Sequence, residues 1–139
     1  MKPEFIIIHH SAVSRELNNH QFEAVKNYHK NLGWGDIGYH YFIEPNGKVC
    51  KGRIESKIGA HCRYAGMNIK SLGVCLTGNF MTETPRKEQI FALRDLLKAI
   101  VKRYEIKAKN ILGHNETGAA TLCPGKFIDM KFIRLLPTR

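Results

Sequence analysis

The stretch EFIIIHHSA, residues 4–12, decides how the fold is laid out. Its apolar run from Phe5 to Ile8 is short and unbroken, which predicts a buried strand. That strand leads straight into His9 and His10, at the rim of a sheet. Because successive side chains of a strand point to opposite faces, we expect His10 to point away from His9. A lone histidine at a rim is more often structural than a ligand, so a chemical site here requires further donors.

Two more strand patterns follow in the middle of the chain. GYHYFIEPNGKVCKGR, residues 38–53, alternates up to a Pro-Asn-Gly turn and then returns, which predicts a hairpin. SLGVCLTGNF, residues 71–80, has the pattern of a buried strand, in which Cys75 is expected to be a small core residue. His40, within the hairpin, is assigned no role.

The first helix is predicted within NNHQFEAVKNYHKNLGW, residues 18–34. Its apolar residues recur at helical spacing, and Asn18 or Asn19 can cap its start. His29 lies off this apolar face, so we expect its side chain to be exposed to solvent.

The second helix is the strongest in the chain and covers residues 84–106. Thr84 is expected to cap it, with Pro85 in its first turn. A short helix is predicted within residues 126–136. Strands mixed with helices indicate an α/β fold, with a central mixed β-sheet flanked by helices. Residues 1–139 are expected to form a single domain.

Composition narrows the classes of partner. With 22 basic and 12 acidic residues the net charge is +10, which favours anionic polymers. The basic residues are dispersed and form no nucleic-acid-binding motif, so no nucleic acid partner is expected. The apolar runs are too short to span a bilayer, and no signal peptide is recognisable, so synthesis in the cytoplasm is expected. The four cysteines are then expected to be reduced thiols.

Three potential donors lie at element boundaries: His9 at the end of a strand, His114 after Gly113, and Cys123 after a loop of small residues. Two histidines and one cysteine are a donor set for a catalytic zinc ion, which keeps one position open for water. Their spacing does not prove that they meet. A Cys–His nucleophile pair is an alternative, with Asp129 or Asn115 orienting the histidine. The third interpretation is purely structural, with a buried cysteine and solvent-exposed histidines that form no site.

Four segments in order carry a family resemblance: IIIHHSA, GWGDIGYHYFIEPNGKV, GAHCRYAGMNIKSLGVCLTGNF and ILGHNETGAATLCPG. They resemble the zinc-dependent N-acetylmuramoyl-L-alanine amidases of the type-2 family, which includes phage amidase endolysins and peptidoglycan recognition proteins. The resemblance covers Phe5 to Gly125. It implies the amidase and recognition-protein fold.

The resemblance also implies roles for individual residues. It makes His9, His114 and Cys123 the ligands of one zinc ion, and Tyr39 and Thr121 catalytic residues. Relatives that cut cytoplasmic muropeptides typically have aspartate where Cys123 stands, so the cysteine points to the phage and recognition-protein branch. Thr121 occupies a place that other members fill with lysine or threonine, and its hydroxyl lacks the charge of a lysine. The loop from His114 to Cys123 is also one residue longer than the family spacing.

Three further residues, His61, Asn68 and Trp34, are similarly expected to contact substrate. The implied activity is hydrolysis of the amide between N-acetylmuramic acid and L-alanine, with peptidoglycan or muropeptides as substrate. The implied place of action is the cell wall, reached after lysis or by a dedicated export route. The alternative is a non-catalytic recognition module. Some phage relatives also bind an RNA polymerase, which no feature of this sequence tests. The chain is expected to be a monomer.

Overall fold

Five strands form one mixed sheet in the computed structural model, which describes residues 1–139. The strands are β1 (Phe5–His10), β2 (Tyr41–Ile43), β3 (Val49–Lys51), β4 (Ser71–Leu76) and β5 (Ile111–Gly113). The helices are α1 (Phe22–Asn31), α2 (Met67–Lys70), α3 (Lys87–Tyr104) and α4 (Met130–Leu135). The strand order is β3-β2-β4-β1-β5, parallel except for β3 at one edge. The predicted mixed α/β sheet with flanking helices is confirmed.

Strand β1 lies inside the sheet and is buried on both faces. Ile6 and Ile8 point to the face covered by α3 and α4, while Ile7 points to the face that carries α2. The same alternation continues into the two histidines. The His10 ring stacks on Phe80 and its Nδ1 accepts the Phe80 N–H at 3.1 Å, whereas His9 points to the opposite face. The predicted divergence of these two side chains is therefore what the structure shows.

The cap position of helix α1 lies two or three residues beyond the predicted cap at Asn19 or Asn18. Its cap position is Gln21, whose side chain makes no capping bond. The Glu44 carboxylate instead accepts the backbone N–H groups of Gln21 and Phe22, each at 3.1 Å. The first turn is therefore capped by the hairpin and not by a local side chain, and the predicted cap was wrong.

Helix α3 was also predicted to start too early. It begins at Lys87 with Arg86 at the cap position, so Thr84 is not the cap and Pro85 precedes the helix. The buried Gln89 side chain accepts the Arg86 N–H at 3.1 Å and satisfies the helix start. The apolar face of this helix lies against the sheet, with Leu93, Leu97 and Ile100 fully buried.

The structure shows the state of the four cysteines and the character of the helices. All four cysteines are free thiols, and Cys75 is fully buried in the core as predicted. None of the helices combines the length and the apolar character needed to cross a membrane.

Candidate metal centre

His9 and His114 come together because the strands that precede them are neighbours. β1 and β5 run parallel, with Ile8 opposite Gly113, so both strands end at the same rim of the sheet. Open α/β sheets place their ligand sites at this carboxyl rim. His9 is the penultimate residue of β1 and His114 directly follows β5, and their ring centroids lie 4.7 Å apart.

Cys123 is returned to the same rim by the loop after His114. The Asn115 N–H donates to the Cys123 carbonyl at 2.8 Å, which closes the loop. The Cys123 Sγ lies 3.6 Å from His9 Nδ1 and accepts the His10 N–H at 3.4 Å. One ligand atom from each of His9, His114 and Cys123 lies within 4.8 Å of the others. We call these three residues the donor cluster.

The donor cluster fits a zinc ion in its chemistry, and its His9–Cys123 distance matches zinc geometry. Burial lowers the pKa of His9 and of His114, which keeps both imidazoles neutral and able to bind a metal. Tetrahedral ligands at usual zinc distances place a nitrogen and a sulfur about 3.6 Å apart. The distance between His9 Nδ1 and Cys123 Sγ matches that value. Two imidazoles and one thiolate leave a fourth position open, as catalytic zinc sites do.

The Cys–His nucleophile alternative finds less support in the same geometry. Burial raises the pKa of the Cys123 thiol to about 11, the reverse of what an activated nucleophile needs. Asp129 accepts the Lys131 N–H at the start of α4 and does not orient a histidine. The His9 Nε2 is bonded to His61 and to neither of the expected orienting residues.

Tyr39 stands beside the donor cluster on the loop before β2. Its ring centroid lies 5.1 Å from that of His9, and burial raises its pKa well above the ordinary value. Its hydroxyl is therefore a neutral hydrogen-bond donor. His29 Nδ1 accepts the Gly38 N–H at 2.8 Å and holds the residue before Tyr39. The prediction that His29 is solvent-exposed was wrong, because the side chain turns inward to make this bond and is only 8% exposed.

Thr121 lies on the loop between His114 and Cys123, two residues before Cys123. Its Oγ1 accepts the Cys123 N–H at 3.1 Å, so the hydroxyl proton is left to donate elsewhere. A cavity of about 520 Å³, the central cleft, opens above the cluster. Its lining includes His9, Tyr39, His61, His114, Thr121 and Cys123.

The three residues expected to contact substrate lie along a second cavity of about 390 Å³, the side groove. Trp34 and Asn68 line it, and His61 lines both the side groove and the central cleft. Trp34 is 42% exposed and packs on His29, with ring centroids 4.5 Å apart. Asn68 Oδ1 accepts the N–H groups of His61 at 2.9 Å and Cys62 at 2.8 Å. The two cavities therefore adjoin at His61.

Two buried residues at this site were missed by the sequence analysis. His40 is fully buried, accepts the Gly73 N–H at its Nδ1 (3.0 Å) and lies edge-on to His61. Its signal was the alternation of the hairpin, which puts His40 on the same inward face as Phe42. Ser71, at the start of β4, lies with its Oγ 3.3 Å from His61 Nε2, and no local pattern marked it.

Amidases and peptidoglycan-recognition proteins of known structure share this mixed α/β fold. The N-acetylmuramoyl-L-alanine amidase family matches residues 1–126, and the chain belongs to this family. It is similar to peptidoglycan-recognition protein SC1a of Drosophila melanogaster, at 38% identity over 130 residues, covering 89% of this chain and 69% of that protein.

Two further similarities extend to phage and bacterial proteins. The endolysin of Enterobacteria phage T3 is 34% identical over 128 residues, covering 87% of this chain and 80% of the endolysin. The solved structure of N-acetylmuramoyl-L-alanine amidase LysC from Clostridium intestinale URNW superposes with a TM-score of 0.86 at 30% identity, covering 96% of this chain and 84% of LysC. The fold inferred from the family resemblance is thus confirmed.

Proposed function

We propose that this protein is a zinc-dependent amidase that hydrolyses the bond between N-acetylmuramic acid and L-alanine in peptidoglycan. The observation that carries the proposal is the convergence of the His9, His114 and Cys123 donor atoms within 4.8 Å of one another. Family membership and the likeness to an amidase of known structure support the reaction type.

The residues of the central cleft have separable tasks in this reaction. Bound zinc supplies a Lewis acid that polarises the amide carbonyl and makes water nucleophilic near neutral pH. His9 and His114 bind it as neutral imidazoles, and Cys123 binds it as a thiolate, so acid releases the metal. Tyr39 keeps its proton at neutral pH, as tyrosines ordinarily do, and burial raises its pKa further.

Tyr39 and Thr121 are the hydroxyl donors that this cleft offers to the reacting amide. We assign Tyr39, which lines the cleft, to hydrogen-bond the oxyanion that develops as the carbonyl is attacked, since fixed donors aimed at such charge stabilise it strongly. The Thr121 hydroxyl is free to donate because its oxygen already accepts from Cys123. A hydroxyl donates without the positive charge that a lysine supplies, so we expect Thr121 to contribute less than a lysine.

The side groove is the proposed seat of the sugar–peptide substrate. It opens from the central cleft at His61 and carries Trp34, Arg63 and Asn68. The half-exposed Trp34 offers an apolar ring face, and Arg63 a positive charge, to a substrate that contains both sugar and carboxylates. The chain's net charge of +10 favours the anionic polymers of the cell wall, where we place its action.

Recognition without hydrolysis is the second candidate, because one relative is by name a peptidoglycan-recognition protein. Both candidates place peptidoglycan on the same surface, and they differ only in turnover. The complete donor cluster with Tyr39 beside it favours the enzyme.

Release of stem peptides from purified cell walls tests the proposal directly. We expect the zinc-loaded protein to release peptides that begin with L-alanine, identified by mass spectrometry, and a chelator to abolish the release. Cys123→Ala should lose both zinc and activity, whereas Cys50→Ala, which removes a half-buried thiol on the edge strand β3, should keep both. Activity that persists in the metal-free protein would overturn the mechanism. Wall binding by the zinc-loaded protein without peptide release would establish the recognition alternative.

A further inference from the structure

A chain of hydrogen bonds leads from the donor cluster into the protein interior. His9 Nε2 lies 2.9 Å from His61 Nδ1. His61 Nε2 lies 3.3 Å from Ser71 Oγ, and the Ser71 hydroxyl is 2.6 Å from the Met67 carbonyl oxygen. The chain thus joins a residue of the cluster to a backbone acceptor through two side chains. Both ring nitrogens of His61 are used within it, so neither is left to hydrogen-bond a substrate.

The carbonyl at the end of this chain fixes the direction of every bond in it. A carbonyl only accepts, so Ser71 donates its single proton to Met67. Ser71 Oγ must then accept from His61, which places the His61 proton on Nε2. The Nδ1 of a neutral His61 is consequently an acceptor, and His9 must donate to it from Nε2. The remaining lone pair of His9 is on Nδ1, the atom that faces Cys123 at 3.6 Å.

The His61 ring is held in a slot that fits it closely. A Cβ added at Gly73 would lie 2.5 Å from the His61 Cγ, and one added at Gly59 would lie 2.6 Å from its Cδ2. Both distances are shorter than any tolerable contact, so only glycines at these two positions admit the ring. Asn68 fixes the backbone of the same residue through the His61 N–H at 2.9 Å. Ring and backbone are therefore both positioned before any ligand binds.

We propose that His61 is a positioning residue for the metal centre, holding His9, together with Ser71, in the tautomer whose Nδ1 is free to bind the metal. This inference rests on the proposed role of His9 as a ligand, and it replaces the substrate contact first expected of His61. Hydrogen bonds to the second nitrogen of a metal-binding histidine orient the ring, select its tautomer and raise its affinity for the metal. Without His61, the neutral His9 ring would be free to carry its proton on either nitrogen.

The tautomer of His9 can be read in the metal-free protein, independently of zinc and of activity. Long-range ¹H–¹⁵N correlation spectra at neutral pH distinguish the Nδ1–H and Nε2–H forms of each histidine. We expect His9 to be in the Nε2–H form in the wild type and to lose that preference in His61→Ala and in Ser71→Ala. Cys62→Ala, which alters the buried neighbour of His61 outside the chain of bonds, should leave the tautomer unchanged. An Nδ1–H form of His9 in the wild type would overturn the inference.

Zinc affinity provides the second readout, by competition with a chromophoric chelator. Loss of an outer hydrogen-bond partner typically weakens metal binding by about 10- to 100-fold, which is the loss expected for His61→Ala. His61→Asn places an amide oxygen where Nδ1 was, so it should recover most of that loss, while Cys62→Ala should bind as the wild type does. A folded His61→Ala that binds zinc as tightly as the wild type would overturn the inference. If His61→Ala does not fold, the tautomer of His9 in the wild type and in Ser71→Ala tests the inference instead. Failure of the protein to cleave peptidoglycan would remove the proposed amidase function and leave these two measurements intact.

Discussion

At the scale of single residues, removing the Tyr39 hydroxyl tests catalysis separately from metal binding. Its ring packs beside His9 at a centroid distance of 5.1 Å, and Tyr39→Phe keeps that ring while removing only the donor. We expect the rate of stem-peptide release to fall by about 100-fold or more, as when one oxyanion donor is lost. Zinc affinity and thermal stability should stay near those of the wild type.

The matched control for this change is Tyr28→Phe, which removes the hydroxyl of a tyrosine on α1 that is 62% exposed. Rates of both variants are measured on the same wall preparation with zinc in excess. An unchanged rate for Tyr39→Phe would show that Tyr39 is not the donor, and would leave Thr121 as the hydroxyl to test.

His29 predicts a dependence of stability on pH. Burial, and secondarily the nearby Arg53 charge, lower its pKa below the ordinary 6.5. The unfolded chain therefore binds more protons than the folded one as pH falls below about 6.5, so this contribution to stability is complete above that pH and is lost on acidification. His29→Asn keeps an acceptor for the Gly38 N–H and does not titrate. We expect the unfolding free energy of the variant to fall less steeply between about pH 6.5 and 5 than that of the wild type.

Urea unfolding at a series of pH values measures this slope. His10 and His40 also have pKa values lowered by burial, so the variant should keep part of the slope. His20→Asn, at an exposed position on the loop before α1, is the control and should retain the wild-type slope. Equal slopes for the wild type and His29→Asn would contradict the prediction.

At the scale of elements, local patterns predicted β1, the hairpin and β4, but they did not predict β5, and long-range contacts decided where the helices start. The apolar run of β1 and the turn of the hairpin are properties of a few adjacent residues. The start of α1 depends instead on Glu44, a residue of the hairpin that no helix signal indicates. His29 was misplaced for the same reason, because its partner Gly38 lies nine residues further along the chain.

For the candidate site as well, some features could be predicted from the sequence and others depend on contacts between distant residues. His9 and His114 could be placed at element ends from the sequence, but their contact depends on β1 and β5 being neighbours in the sheet. Only the ordered family motifs indicated that these donors belong together with Cys123. The bond between His9 and His61 spans 52 residues and connects a strand end to a loop. No periodicity or spacing encodes such a contact, so the positioning role of His61 could emerge only from the structure.

Glu55 joins the hairpin side of the sheet to the end of α3 and supplies a prediction for element packing. Its carboxylate accepts from Arg103 Nη2 at 2.6 Å, from the Tyr104 hydroxyl at 2.6 Å and from the Tyr41 hydroxyl. Burial alone would raise the pKa of Glu55, but these hydrogen bonds outweigh it and lower that pKa. Because Glu55→Gln removes the charge that these donors solvate, we expect a loss of about 1–2 kcal/mol in unfolding free energy at neutral pH.

Urea unfolding again provides the measurement, with zinc held at one concentration in all samples. Glu16→Gln removes the charge of an exposed glutamate and should cost less than about 0.5 kcal/mol. A Glu55→Gln variant as stable as this control would mean that the network stabilises α3 no more than solvent does.

At the scale of the whole molecule, the two faces of the sheet have separate tasks. The face that carries Ile6 and Ile8 packs against α3 and α4 and forms the largest apolar cluster. The other face carries His9, Tyr39 and His61, whose rings contact one another. Since consecutive residues of β1 serve opposite faces, one strand both anchors the core and presents a donor. Charge changes on the outer side of α3 can therefore be made without touching the donor cluster.

This separation allows the net charge of +10 to be tested apart from the site. Exposed charges are screened beyond about 10 Å at 0.1 M salt, so binding to an anionic wall should weaken steeply as salt rises. Lys98→Glu with Lys102→Glu, both exposed on α3, changes the charge by four, from +10 to +6. We expect this double variant to bind walls more weakly at low salt in a pelleting assay, and to match the wild type at high salt. Its cleavage of a small soluble muramyl peptide should remain within about twofold of the wild type, because the cleft is unchanged. Equal wall binding by the two proteins at low salt would show that retention depends on the groove and not on the overall charge.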